Sequence, residues 1–252
     1  DADDHHRRRN GEALRQQGRL DEASVMFKEA LNAYSIVYGD DDRRVADVLD
    51  SLAKIRRGQR DLTDAEKFAQ QAVEVAIKAD GPDHERTAYY RTALAAVQIE
   101  RREYAAAEAQ LKDALVTFNA KLVADHPYIA SAQHYLGEVL LQTNRPKDAE
   151  VVFMEALNRS KHAKEPGWRA ARSASGLGEA LYRQGRTKEA ETYLVSSYRT
   201  LSADKNADPN AQAIARQRVE RFFTDRGQPE QLQALIDETR RPETPAAASR
   251  TN

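Results

Sequence analysis

The sequence contains no cysteine among its 252 residues, and this absence excludes disulfide bonds and zinc sites built on thiolates. It leaves the redox compartment of the protein open. Long hydrophobic runs are missing as well. The longest, at residues 93–97, is far shorter than the roughly 20 apolar residues that a membrane-spanning helix needs. We therefore expect no direct insertion of this chain into a membrane.

The chain has no excess charge of either sign. The sequence has 39 Lys and Arg residues and 40 Asp and Glu residues, which gives a net charge of −1. The chain therefore has no overall positive charge that would attract nucleic acid. We therefore expect no nucleic-acid partner. Phosphate-binding glycine loops, nucleophile elbows and the His-Glu-x-x-His zinc pattern are also absent. We expect this chain to have no catalytic activity of its own and no cofactor.

Two histidines occupy equivalent places in the sequence, His84 and His126. Paired histidines could ligate a metal ion, but the same position elsewhere holds Asp42 and Gly167, so no third ligand continues the series. The alternative is that each of these residues caps the helix that starts beside it. We favour capping and predict no metal site.

What the sequence does contain is a repeat. Three columns of small residues recur at steps of 42, 42, 42 and 41 residues. The first column follows a polar turn and comprises Ala23, Ala65, Ala107, Ala149 and Ala190. The second lies in the helix after that turn, at Ala30, Ala72, Ala114, Ala156 and Ser197. The third lies in the helix before it, at Gly11, Ala53, Ala95, Gly137 and Gly178. A period of this size indicates stacked helical hairpins, none of which can bury its apolar face alone.

The fourth copy, at residues 133–160, shows the pattern most completely. Apolar residues spaced by three and four form one stripe on each helix, at Leu136, Val139 and Leu140 and then at Val152, Phe153 and Leu157. The order Leu-Gly, Ala, Phe, Ala resembles the tetratricopeptide repeat (TPR) and is met by Leu136-Gly137, Ala149, Phe153 and Ala156. The longer period and the link Asp125-His126-Pro127 resemble the kinesin-light-chain-like subclass.

This resemblance implies an all-α fold, namely a right-handed superhelical solenoid of antiparallel helix pairs with about five repeats and a divergent capping pair. We assign the solenoid to residues 10–240. Residues 1–9 form a flexible flank, which is either a linker or the first turns of a shortened helix. Residues 241–252 form a tail that is disordered by composition. Because the chain begins with Asp1 rather than Met, we expect a processed product or a piece of a longer protein.

The resemblance also implies protein or peptide binding on the concave face, which the first helix of each TPR pair lines. We predict that the binding positions are Asp50, Lys54, Arg57, Tyr89, Thr92, Ile99, His134, Glu138, Leu141, Gln142, Arg172, Ser175, Tyr182 and Arg183. Tyr89, Ile99, Leu141 and Tyr182 are apolar or aromatic where we expect solvent exposure, which favours a groove. The alternative is that they pack on a neighbouring repeat.

Residues 130–202 resemble the repeat arrays that follow the kinase domain in some bacterial serine/threonine kinases. This resemblance implies the regulatory or sensor region of such a signalling protein, in the periplasm if the protein is anchored in a membrane and in the cytoplasm otherwise. No kinase motif lies in the chain itself. The alternative is a free-standing structural adaptor that scaffolds a complex or oligomer.

Overall fold

The computed structural model describes the backbone of residues 2–163 and 166–240 and the side chains of residues 8–163 and 166–239. These residues form twelve α-helices and no β-strand, which confirms the all-α class. Within the same ranges, no helix combines the length and the apolar character needed to cross a bilayer. The predicted tail at residues 241–252 lies outside the described residues.

The helices follow one another in pairs, each joined by a short turn. In order they are α1 (Ala2–Gln16), α2 (Leu20–Tyr38), α3 (Arg43–Gly58), α4 (Leu62–Asp80), α5 (Glu85–Glu100), α6 (Tyr104–Lys121), α7 (Pro127–Gln142), α8 (Pro146–His162), α9 (Gly167–Arg183), α10 (Thr187–Ala203), α11 (Pro209–Asp225) and α12 (Pro229–Arg240). We call the odd-numbered helices A helices and the even-numbered ones B helices. Because α1 begins at Ala2, the backbone of residues 2–9 is helical. The flexibility of this flank stays a prediction.

The chain divides into two compact units, Asp1–Asn144 and Arg145–Asn252. In the first unit, each helix from α1 to α6 contacts the helix that follows it. The A helices also contact one another, α1 with α3, α3 with α5 and α5 with α7. In the second unit, helices α8 to α12 contact their sequence neighbours, and α9 contacts α11. Each unit therefore has a face built from adjacent A helices, which we call its A-helix face.

The small-residue columns lie where paired helices meet. Every member of the first two columns is at most 2% exposed. In the third column, a methyl carbon added to Gly178 of α9 would lie 2.8 Å from Cγ of Leu194 in α10, and one added to Gly11 of α1 would lie 3.0 Å from the ring of Phe27 in α2. The predicted role of the small residues as close-contact positions is therefore confirmed at these places.

Three A helices begin with the residues that the sequence analysis assigned to caps. The side chains of Asp42, His84 and His126 each accept a hydrogen bond from the backbone N–H two residues later, at 2.8, 3.1 and 3.2 Å. Such a bond satisfies one of the N–H groups left without a partner in the first helical turn. Both histidines use Nδ1 for this purpose, so the capping interpretation is confirmed.

Each turn within a pair contains one residue with a left-handed backbone. These residues are Gly18, Arg60, Arg102, Asn144, Gly185 and Gly227, with φ between 57° and 78°. In five of the turns the next N–H donates to the carbonyl five residues earlier, as Asp61 N does to Arg56 O at 3.0 Å, which is the Schellman geometry. A side chain is strained in this conformation and glycine is not. Arg60 and Arg102 therefore occupy positions that glycine would favour.

We predict that Arg102→Gly stabilises the protein. Relief of left-handed strain is worth about 1–2 kcal/mol, and the greater freedom of glycine in the unfolded chain offsets about 0.4–1 kcal/mol of it. The free energy of unfolding, measured by urea denaturation, should therefore rise by up to about 1.6 kcal/mol. The matched control is Arg91→Gly in the interior of α5, which should lower stability by about 1 kcal/mol. Equal effects of the two substitutions would contradict the role of Arg102.

We predict that Gly178→Leu destabilises the second unit, because Leu194 lies too close to accept a side chain there. Overpacking of this kind typically costs about 1–3 kcal/mol, so the thermal midpoint should fall. The control is Gly167→Leu at the start of the same helix, where an added methyl carbon would meet nothing closer than Cγ2 of Thr200 at 3.9 Å. An unchanged midpoint for Gly178→Leu would show that the column has been assigned in the wrong register.

Candidate functional site

A groove of about 1010 Å³ opens on the A-helix face of the first unit. We call it the first groove. Most of its lining comes from α1, α3, α5 and the start of α7, with Phe27 of α2 and Leu122 after α6. It includes Arg8, Arg9, Glu12, Arg15, Asp47, Asp50, Ser51, Lys54, Glu85, Arg86, Tyr89, Tyr90, His126 and Tyr128. Adjacent A helices present these side chains side by side because the 42-residue period places equivalent positions in one row.

Lys54 is the centre of a polar network in the first groove. Its Nζ donates to Oδ2 of Asp50 at 2.6 Å and to the hydroxyl of Tyr89 at 2.7 Å, so α3 and α5 are joined here. Burial by itself would lower the pKa of Lys54, but the Asp50 carboxylate raises it above its usual value. Burial and the same carboxylate raise the pKa of Tyr89. The lysine is therefore held in its charged form beside a neutral tyrosine.

Asp47 is a second node and links three A helices. Its carboxylate accepts from the hydroxyl of Tyr90 at 2.7 Å and from Nη1 of Arg8 at 3.0 Å, and Nη1 of Arg86 lies 3.5 Å away. Burial, and then the Asp47 charge, raise the pKa of Tyr90. The walls of the groove are thus fixed by side chains that hold one another in place.

Aromatic rings form one side of the groove. The ring centroids of Tyr89 and Tyr128 lie 5.0 Å apart, and Tyr128 also packs against Phe118 at 5.8 Å. Tyr128 is 39% exposed, so part of its ring faces solvent. Exposed aromatic surface beside fixed polar groups is the usual composition of a ligand-binding surface.

Only some of the predicted binding residues of the first unit line this groove. Asp50, Lys54 and Tyr89 do. Arg57 instead pairs with Glu100 of α5, with Nε 2.6 Å from Oε1. Thr92 is buried, and its hydroxyl donates to the Ala88 carbonyl of its own helix. The remaining predicted residue of α5 is Ile99. It is half-buried and does not line the groove.

The four predicted residues of α7 differ in exposure. His134 and Glu138 are both buried, with Nε2 and Oε1 4.0 Å apart, whereas Gln142 is exposed at the helix end. Leu141 is 1% exposed, so the prediction that it faces solvent is wrong. Helical spacing places it near the A-helix face, but α7 contacts both α5 and α6, and two sets of contacts cover more of its surface than one stripe.

In the second unit, Arg183 is the predicted residue of α9 that the structure shows in contact with a buried carboxylate, that of Glu179. Glu179 is 1% exposed, and Nε of Arg183 lies 2.5 Å from its Oε1. Arg221 of α11 donates to its other oxygen. Burial would raise the pKa of Glu179, but Arg218 and the two other arginines lower it below the usual value. Glu179 is therefore held ionised.

Other predicted residues of α9 lie along the same helix. Ser175 is buried, and its hydroxyl accepts from Nη1 of Arg218 at 3.3 Å. The guanidinium of Arg172 lies 5.7 Å from the Trp168 ring centroid. Tyr182 packs its ring against Phe222 and donates to Asp225 of α11 at 3.1 Å. For Tyr182, packing on a neighbouring helix is therefore the observed role.

Sequence reasoning missed the partners that come from the first and last A helices. These are Arg8, Glu12 and Arg15 in α1, and Arg218, Arg221 and Asp225 in α11. A signal was available, because many polar contacts between adjacent A helices join residues 42 or 43 positions apart. The pairs are Asp47 with Tyr90, Arg57 with Glu100, Ser175 with Arg218, Glu179 with Arg221 and Tyr182 with Asp225. Subtracting the period from the candidates of α3 would have found those of α1, and adding it to Ser175, Glu179 and Tyr182 would have found those of α11.

We predict that Glu179 makes stability depend on pH in the acid range. Its pKa is lowered on folding, so its contribution is present above the unfolded value of about 4.3 and is lost as pH falls through the folded value. The difference in free energy of unfolding between the wild type and Glu179→Gln should therefore be largest above about pH 5 and should shrink below it. A difference that stays constant between pH 3 and 7 would contradict this assignment.

Comparisons with known proteins agree with the geometry. A tetratricopeptide repeat family model matches residues 5–78, 48–120 and 128–203. A structure of kinesin light chain nearly identical TPR-like repeats from Podosopora anserina is 14% identical, covers 81% of this chain and 97% of its own, and has a TM-score of 0.63. BtubC (BKLC) from P. vanneervenii is 19% identical, with coverages of 79% and 80% and a TM-score of 0.66.

A Rap protein complexed with Competence and Sporulation Factor is also similar in fold. It is 13% identical, covers 95% of this chain and 76% of its own, and has a TM-score of 0.63. At these identities the likeness concerns the fold alone. A search of curated proteins gives no match.

Proposed function

The chain belongs to the tetratricopeptide repeat family, and from this premise we propose that it binds a segment of a partner protein or peptide in the first groove. The observation that carries the proposal is the groove itself, which combines a volume of about 1010 Å³ with fixed polar side chains and exposed tyrosine surface. A preformed groove lowers the entropic cost of ordering its own side chains when a ligand binds.

The charged side chains that line the first groove indicate what kind of ligand it would bind. Five arginine or lysine side chains and four carboxylates line the groove, so the charges nearly cancel and neither a polyanion nor a polycation is favoured. Lys54 is bound to Asp50, Arg15 to Glu12 and Arg8 to Asp47. The expected ligand is therefore an extended or helical segment with one or two apolar anchors, which would pack on Tyr89 and Tyr128.

The test uses peptides selected from a random library on the intact chain. Tyr128→Ala removes a partly exposed ring without removing any hydroxyl contact that holds Lys54. It should weaken the selected peptides at least about fivefold, since anchor residues typically contribute more than about 1 kcal/mol. Ser51→Trp should fill the groove and weaken them further. The matched control is Tyr104→Ala at the start of α6, outside the groove lining.

The circular dichroism spectrum and thermal midpoint of each variant report whether it is folded. If the selected peptides bind Tyr128→Ala, Ser51→Trp and the wild type with equal affinity, the first groove is not the binding site. If Tyr104→Ala weakens them as much as Tyr128→Ala does, the effect is not specific to the groove.

We also propose that the chain is the regulatory or sensor region of a larger bacterial signalling protein such as a serine/threonine kinase. The support is the resemblance of residues 130–202 alone. The reading frame that encodes the chain tests this proposal. A kinase domain and a membrane-spanning segment in the same frame are expected, whereas a frame restricted to the repeats would favour a free-standing adaptor.

A further inference from the structure

One oxygen of a buried carboxylate in the first groove has no hydrogen-bond partner. Asp50 of α3 is 5% exposed and contributes to the lining of the groove. Its Oδ2 accepts from Nζ of Lys54 at 2.6 Å and from the hydroxyl of Tyr89 at 3.3 Å. Its Oδ1 is also buried, and no donor among the described residues reaches it. The network around Lys54 therefore uses only one of the two carboxylate oxygens.

The other aspartate of α3 in the groove shows the contrast. Oδ1 of Asp47 accepts from the hydroxyl of Tyr90, and Oδ2 accepts from Nη1 of Arg8. Buried polar atoms nearly always have a partner, and an acceptor left without a donor lowers stability by more than a typical hydrogen bond adds. Two acids one turn apart on the same helix thus differ, because Asp47 is satisfied within the chain and Asp50 has capacity for a further donor.

The unused oxygen belongs to the wall of the groove. Asp50 lines it together with Ser51, Lys54 and Tyr89, so a segment that enters the groove meets this carboxylate. The terminal torsion of an aspartate side chain is broad and roughly two-fold. A small rotation about it therefore turns Oδ1 toward a donor of the ligand while Oδ2 keeps its bond to Lys54.

The charges around Asp50 indicate what kind of donor fits. Lys54 pairs with Asp50, and Arg15 of α1 donates to Glu12 at 2.6 Å. The hydrogen bond to Glu12 raises the pKa of Arg15, and the charge of Asp50 adds to this effect, so the two ion pairs are neighbours. A ligand ammonium or guanidinium would add a net positive charge to a balanced group, and burial of such a charge is unfavourable. A neutral N–H adds no charge and still meets an ionised acceptor.

From these observations, and resting on the function proposed for the first groove, we propose that Asp50 determines specificity by accepting a hydrogen bond from a neutral amide N–H of the bound segment. This N–H belongs either to an asparagine or glutamine side chain or to the backbone of the segment. A segment that presents a carboxylate at the same point is rejected, because two carboxylates then face each other.

The experiment uses the peptide that binds the intact chain most tightly after selection from a random library. Each of its positions is replaced in turn by glutamine and by glutamate, and each backbone amide is methylated in turn. If the donor is a side chain, glutamine at one position should bind at least about tenfold more tightly than glutamate. If the donor is a backbone N–H, methylation at one position should weaken binding by a similar factor.

Asp50→Asn tests the assignment by turning the acceptor into a donor. Lys54 and Tyr89 both donate to Oδ2, so the amide oxygen of the variant takes that place and its NH2 group takes the place of Oδ1. The preference for glutamine over glutamate should then fall below about twofold or reverse. Methylation at the sensitive position should likewise change affinity less than about twofold.

The matched control is Asp47→Asn. It removes the same charge three positions earlier on α3, but from a carboxylate whose two oxygens both have partners in the chain. The ratio of glutamine to glutamate affinity at the sensitive position should stay within about twofold of the wild-type ratio. Equal changes of this ratio in Asp47→Asn and Asp50→Asn would show a general effect of charge and overturn the proposal.

The remaining outcomes separate this inference from the function proposed for the groove. Should Asp50→Asn fail to fold, the ratios are measured in Asp50→Asn with Lys54→Met, which leaves no cation without a carboxylate, while Tyr89 still donates to the amide oxygen. If Tyr128→Ala weakens the parent peptide but no position distinguishes glutamine from glutamate and no methylation matters, only the role of Asp50 is overturned. If Tyr128→Ala has no effect either, the function proposed for the first groove is overturned with it.

Discussion

The close approach of the two helices in each pair is the constraint on which the rest of the structure depends. Alanine occupies the contact positions of the B helices and is almost fully buried there, as at Ala107, Ala149 and Ala190. A methyl side chain lets the backbones come near enough for the larger residues beside it, such as Phe153 and Leu194, to fill the remaining space. Because each pair is thin, it can bury its apolar stripe only by stacking on the next pair. The 42-residue period of the sequence follows from that requirement.

The same period organises the polar chemistry. Once the pairs stack, equivalent positions of adjacent A helices lie side by side, and side chains 42 or 43 residues apart come within hydrogen-bond distance. Asp47 and Tyr90 in the first unit and Glu179 and Arg221 in the second are examples. Burying a charged group lowers stability unless the group is paired. The charged side chains of each A-helix face therefore form hydrogen bonds and ion pairs that hold one another in place.

The polar networks on the A-helix faces of the two units differ in composition. In the first groove five cations lie among four carboxylates, and tyrosine rings are left partly exposed beside them. In the second unit three arginines surround the buried carboxylate of Glu179.

The sequence by itself determined the helix pairs, the contact positions of small residues and the caps at Asp42, His84 and His126, because these follow from local spacing and from side-chain chemistry within one or two turns. It also determined which helices form the A-helix faces. Tertiary structure decided which positions on those faces are accessible. Leu141 is buried although its spacing predicts exposure, and Tyr182 is held by α11. An A helix touches its partner and its neighbouring repeats at once, and helical periodicity describes only one of those contacts. The charge balance of each face was likewise settled by residues distant in sequence, since the cations that surround Glu179 come from two helices.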